Sequence, residues 1–279
     1  MELHPLDRLE SALRRPGNLQ DVVSQLESED LPTAAEFMGL RWIWWERHRS
    51  DLLSLVEGLE NWPALRRFGA LAGGYELLVN GAGVSLPTDG ELAGSAGLHQ
   101  LPPSGSHQWE PGGSFVAFQE RFHAALRQGG MKQYQYAAAL TGAFVEMASN
   151  AVEHANSPAA PIASFEVTSR GWSFGVTDVG RGALASLREN PAYGDLEGEG
   201  EALEFMLKEG VTRTGEPGRG LGFSNVFKAL VDRRVTLRFR SGGAVASWEG
   251  ESPTDQVIYS QGLPISRQGF HVRVAGPIP

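Results

Sequence analysis

The chain has 279 residues, 41% hydrophobic and 20% charged, a globular composition with room for one large domain or two ordinary ones. Its formal net charge of -9 gives no general support to nucleic-acid binding, although a local basic patch stays open. It contains no cysteine, which excludes disulfides, thiolate metal sites and cysteine nucleophiles.

The opening residues Met1-Glu-Leu-His-Pro-Leu-Asp7 lack a basic segment followed by an apolar one, and no run of about 18 apolar residues occurs. A cytoplasmic protein without membrane contact is expected. Residues 1–80 read as mainly helical. Leu6, Leu9 and Leu13 suit a short helix ended by Pro16-Gly17, and Asn18 can cap a second through Val22, Val23 and Leu26. Leu31-Pro32-Thr33 opens a third, carrying Phe37, Met38, Leu40 and Ile43 with Trp42, Trp44 and Trp45, and 51–59 and 63–71 suggest two more. Tyr75–Val79 is too short an apolar run to decide between helix end and strand. The Trp-rich stretch 41–48 can be read as a ligand platform or a homodimer contact. Tryptophans are also ordinary fillers of cores and interfaces, and no polar constellation accompanies these.

Residues 81–113 change character: twelve glycines and prolines break any regular period, so a linker or long connecting loop, and a domain boundary, are expected there. Regular patterning returns at 114. Residues 115–126 suit a helix with Phe118 and Phe122 on one face, closed by Gly129-Gly130. A longer helix is expected from about Gln133 to His154, because Ala, Met, Glu and Phe fill its second half without interruption. On it Glu146, Asn150 and His154 fall at i, i+4 and i+8 and share one narrow stripe, with Glu153 beside them. Phe144, Met147, Ala148, Ala151 and Val152 give that helix an apolar surface. Taken alone, such a stripe is most simply a solvated face.

Two alternating pairs then read as antiparallel hairpins, 162–168 with 172–177 and 235–240 with 244–248. Asp178-Val-Gly180-Arg-Gly182 follows the first directly. A long polar segment, 183–211, includes a helix over 202–208. Gly218-Arg219-Gly220-Leu221-Gly222 opens a helix over 224–231, and 270–274 is a last strand.

The order of these pieces is informative. A helix carries Glu146-x-x-x-Asn150, a strand end carries Asp178-x-Gly180-x-Gly182, and a glycine turn at 218–222 opens a helix. The glycine turn is not in the strand–turn–helix setting of a dinucleotide fingerprint, and no Gly-x-x-x-x-Gly-Lys-Ser/Thr loop occurs. The combination resembles the GHKL superfamily, the ATP-binding fold shared by DNA gyrase, heat-shock chaperones, histidine kinases and mismatch-repair ATPases. Glu146 to Asn150 resembles its N-box, Asp178 to Gly182 its first glycine box and Gly218 to Gly222 its second, so the resemblance covers 114–279.

The resemblance implies an α+β protein: a C-terminal two-layer α/β sandwich of Bergerat type, its mixed, mainly antiparallel sheet carrying helices on one face, preceded by the helical N-terminal region. It implies ATP and Mg²⁺ as cofactors. Asp178 would accept hydrogen bonds from the exocyclic amine of adenine, with Gly180 and Gly182 allowing the backbone to approach the base. The turn Gly218, Arg219, Gly220, Leu221 and Gly222 would offer N–H groups and a helix N-terminus to phosphates, with Arg213 a second cation there. The amide oxygen of Asn150 suits Mg²⁺, and Glu146 is placed as general base. Residues 183–217 would form a mobile lid. Plainer readings stand beside these: Asp178 and Gly182 as turn residues, Arg219 as a solvated cation, His154 as a partner of a loop backbone.

The subfamily is narrowed by departures. None of the seven histidines is followed by Asp or Glu, and Glu153 stands where histidine kinases carry Lys or Arg. The expectation is an ATPase or a kinase transferring the γ-phosphoryl group to a protein partner. An ATP-sensing interaction module with little turnover and an atypical histidine kinase remain alternatives.

Overall fold

The computed structural model describes residues 96–104, 109–157, 160–167, 171–207, 235–250, 257–260 and 267–278. The helices expected over 1–80, the Trp-rich stretch, the glycine turn of Gly218, Arg219, Gly220, Leu221 and Gly222, and the helix expected over 224–231 lie outside the described residues, as does Arg213.

The protein is α+β. Seven strands, β1 (Ala96–Gln100), β2 (Ile162–Val167), β3 (Gly171–Thr177), β4 (Val235–Gly242), β5 (Ala244–Gly250), β6 (Val257–Ser260) and β7 (Arg267–Pro277), form one sheet in the order β1-β2-β3-β7-β4-β5-β6. The helices are α1 (Gly113–Gln128), α2 (Tyr134–His154), α3 (Gly182–Leu187) and α4 (Glu199–Leu207), with a 3-10 turn at Pro191–Tyr193. Among the described residues all six pairings are antiparallel, where a mixed, mainly antiparallel sheet was expected. The reason is the placing of β7. Strands β3 and β4 run in the same direction, joined through α3 and α4, and β7 enters between them antiparallel to both.

Alternation along the strands divides the sheet into two unlike faces. Phe165, Val167, Trp172, Phe174, Val176, Val272, Val274, Leu237 and Phe239 point to one face and join the helices in a single buried cluster. Helix α1 contributes Phe115, Phe118 and Phe122, spaced at three and four residues so that all three meet the sheet. Phe122 lies 5.1 Å from Phe165 and 5.7 Å from Phe174, ring centre to ring centre. Phe144 of α2 stands 5.1 Å from Phe174. Each such pair adds about 0.5–1.5 kcal/mol to ordinary area burial. The opposite face carries Ser164, Thr177, Arg238, Arg240 and His271, also buried.

Strand β1 lies inside the stretch expected to be a linker or loop. Its residues show no strong strand preference; tertiary packing selects them. A Cβ on Gly97 would stand 2.6 Å from Phe118 and 2.8 Å from Phe165, so only glycine lets β1 come this close beneath the two rings. Two residues on, buried His99 stacks on Phe118 with ring centres 5.1 Å apart.

Candidate functional site

The C-terminal end of α2 meets the turn that leaves β3. Helix α2 has its last carbonyls satisfied from that turn: the Arg181 backbone N–H donates to Ala155 O at 2.9 Å, and Arg181 Nε donates to His154 O at 3.0 Å. A cation here also complements the negative end of the helix dipole. The guanidinium is shared with Glu189 in an ion pair. The approach is close enough that a Cβ on Gly180 would lie 2.0 Å from Ala155 O, so position 180 accepts no side chain.

Asp178 is 4% exposed and is held from two sides. Its Oδ1 accepts from Gly180 N–H at 2.8 Å and from Phe270 N–H at 3.2 Å, while its own N–H donates to Phe270 O at 3.0 Å. The first bond closes a small side-chain-to-backbone turn. The other two, one to the carboxylate and one from the backbone, tie the residue to β7. Gly182, at φ +80°, turns the chain into α3, and a Cβ there would lie 2.7 Å from Ser241 Oγ. The Asp-x-Gly-x-Gly sequence is therefore one compact turn wedged between the end of α2 and the central strands.

On α2 the polar stripe is half-buried. Glu146 has its carboxyl pushed above the ordinary carboxylate range, first by burial and second by the negative charge of Glu153 two turns along. Glu153 is anchored by the Trp109 backbone N–H, which donates to its Oε1 at 3.2 Å. Asn150 lies between the two carboxylates on the same helix. Among the described residues no group of three or more His, Asp or Glu side chains could hold a metal ion unaided. A divalent ion at Asn150 would draw its other oxygens from a phosphate ligand and water.

The expected lid is different over its first part. Ala183, Leu187, Leu196, Ala202 and Leu203 are buried in the core, so 183–207 is packed against the sheet and does not lie loosely over it. Buried Ser241 Oγ accepts from Ala183 N–H at 2.8 Å and donates to Glu199 Oε2 at 2.6 Å; the same oxygen accepts from Leu184 N–H at 3.2 Å. Ser241 and Glu199 thus satisfy the first N–H groups of α3 from 58 and 15 residues away. Those two residues, with Arg181 and Gly269, were not singled out by the sequence. Gly269 (φ +90°) is where β7 crosses Asp178, and a Cβ there would lie 2.0 Å from Asp178 O. Only Arg181 carried a local signal, by sitting inside the motif.

The structure therefore brings together the helix bearing Glu146 and Asn150 and the turn of Asp178, Gly180 and Gly182. The other candidate residues, 218–222, lie outside the described residues. No protein-family model matches the chain, and no curated protein matches it.

Proposed function

We propose that this chain is an ATP-binding protein of GHKL type with a Bergerat fold, which hydrolyses ATP or passes its γ-phosphoryl group to a protein partner. One observation carries the reading: the Asp178 turn is docked on the C-terminal end of the helix that bears Glu146 and Asn150. At 1.5 Å per residue, Asn150 lies about 7 Å and Glu146 about 13 Å up the helix axis from Ala155. An elongated nucleotide with its base at Asp178 then runs its phosphates along α2, past Asn150 and toward Glu146.

The residue chemistry fits that direction. A buried, pinned carboxylate selects the amine-bearing edge of adenine. An amide oxygen at Asn150 offers a hard ligand for Mg²⁺, which would neutralise phosphate charge. Glu146, whose proton affinity is raised by burial and by Glu153, is suited to take a proton from an attacking water or hydroxyl. In this reading Arg213, Arg219 and the Gly218–Gly222 turn, which lie outside the described residues, would meet the phosphates. No helix among the described residues is long and apolar enough to cross a membrane.

Calorimetry with an ATP analogue and Mg²⁺ tests binding, and γ-labelled ATP in single turnover tests the reaction. Free phosphate marks an ATPase, acid-stable protein label a serine or threonine kinase, and acid-labile label a histidine kinase. If ATP does not bind, or Asp178→Asn binds it equally well, the proposal fails.

A further inference from the structure

We propose that Arg181 is a positioning residue of the nucleotide site, a brace that fixes the spacing between the Asp178 turn and the polar stripe of α2. This role rests on ATP binding as proposed for the chain and adds to it: Arg181 acts through α2 and not by touching the ligand. Its place in the turn suits the role. Arg181 stands between Gly180, which accepts no side chain against Ala155, and Gly182, where the chain turns at φ +80° into α3.

The last turn of α2 holds no lysine or arginine, and Ala155 closes it. Donors to its final carbonyls come from Arg181, 27 residues beyond His154: Nε reaches His154 O at 3.0 Å and the backbone N–H reaches Ala155 O at 2.9 Å. Two bonds from one residue to successive carbonyls fix a direction as well as a distance. The far side of the guanidinium is held too, by the ion pair with Glu189. Both neighbours of Glu189 are bonded back onto α3, Arg188 N–H to Leu184 O at 3.0 Å and Asn190 N–H to Leu187 O at 2.9 Å. The Glu189 side chain is 43% exposed, so the pair adds little stability. What it adds is orientation of a planar fork that a lysine cannot reproduce.

The core places the bulk of α2, through Phe144 and its neighbours. The C-terminal part of the helix carries Asn150, Glu153 and His154, and it meets the base-binding turn through Arg181. Subsites for base and for phosphate thus sit on separate elements. A ligand that spans both binds fully only if their spacing is set beforehand. A ligand that reaches the Asp178 turn alone is indifferent to that spacing. The brace therefore has a signature: it matters far more for ATP than for adenosine.

The test is calorimetry on the full chain with two probes, adenosine and a non-hydrolysable ATP analogue with Mg²⁺. Arg181→Gln should weaken the analogue by about tenfold or more, the scale of one lost charge-assisted hydrogen bond, and leave adenosine within about twofold. Arg181→Lys keeps the charge without the fork and should be almost as weak. Glu189→Gln should weaken the analogue in the same direction, by about two- to fivefold. Equal loss for both probes, or no loss, overturns the proposal and leaves ATP binding standing. So does recovery in Arg181→Lys, which would reduce the role to charge alone. Tighter analogue binding in Glu189→Gln overturns it as well, because the released guanidinium would then be meeting the phosphates directly. If the wild-type chain binds neither probe, the ATP-binding function falls and the brace falls with it. A further arm needs no ligand: the backbone N–H at position 181 should exchange with deuterium about tenfold faster in Arg181→Gln, and unchanged exchange overturns the brace. Should Arg181→Gln not fold, Arg181→Lys and Glu189→Gln carry the same two-probe comparison.

Discussion

Helix α2 has two unlike sides. Leu140, Phe144, Met147, Ala148, Ala151 and Val152 are buried against α1 and the sheet, whereas Glu146, Asn150, Glu153 and His154, interleaved with them, are half-buried and polar. The apolar side places the helix; the polar side, apart from the Trp109 N–H bond to Glu153, adds little to the core. The two sides should therefore respond to substitution in opposite ways, and this contrast can be broken experimentally.

The largest effect is expected at Phe144, which touches Phe115, Phe118, Phe122 and Phe174. Phe144→Ala should cost about 3–5 kcal/mol in urea unfolding, and a loss below 1 kcal/mol would show that the aromatic cluster does not place α2. Next comes Gly180→Ala. Its methyl would drive the turn away from Ala155 O, costing roughly 1–3 kcal/mol and sharply weakening affinity for an ATP analogue. Unchanged affinity would separate the turn from the site.

On the polar side, Glu146→Gln should leave nucleotide binding intact and reduce phosphate release or transfer by about 100-fold or more. The same variant should slightly raise stability at neutral pH. With its folded pKa above the unfolded value, Glu146 favours folding when protonated, and that contribution is lost as pH rises through the folded pKa. The variant's advantage should accordingly vanish in thermal scans below about pH 4, where the carboxyl is protonated in both states. A destabilised Glu146→Gln would contradict the assignment of the two sides. The smallest effect is expected from Glu153→Gln. Removing that charge should move the acid limb of the rate profile to lower pH, because Glu146 would then lose its proton more readily. A limb that stays in place would leave burial as the sole cause.

Local patterning made much of this fold readable. The helix expected from Gln133 to His154 runs Tyr134–His154, and both hairpins form, because period and turn chemistry are encoded within a few residues. What was hidden depends on distant partners. Strand β1 exists because Gly97 fits under Phe118 and Phe165, and the packing of 183–207 depends on Ser241 and on the core beyond it. At the candidate site, the spacing of Glu146 and Asn150 and the Asp-x-Gly-x-Gly sequence were legible. The docking of one on the other through Arg181, and the grip of Phe270 on Asp178, were not, since neither leaves a periodic trace.

Strand β7 carries a consequence for how the molecule is made. It is the last described strand in sequence but the middle one in the sheet, with β1-β2-β3 on one side and β4-β5-β6 on the other. As the chain emerges during synthesis, the two halves have no shared hydrogen-bonded strand until β7 arrives. Such long-range closure is slow compared with local hairpin formation. Phe270, which clasps Asp178, belongs to β7. The turn that bears Asp178 is thus clasped by the same event that joins the halves, and a nascent chain would present its hairpins well before that clasp.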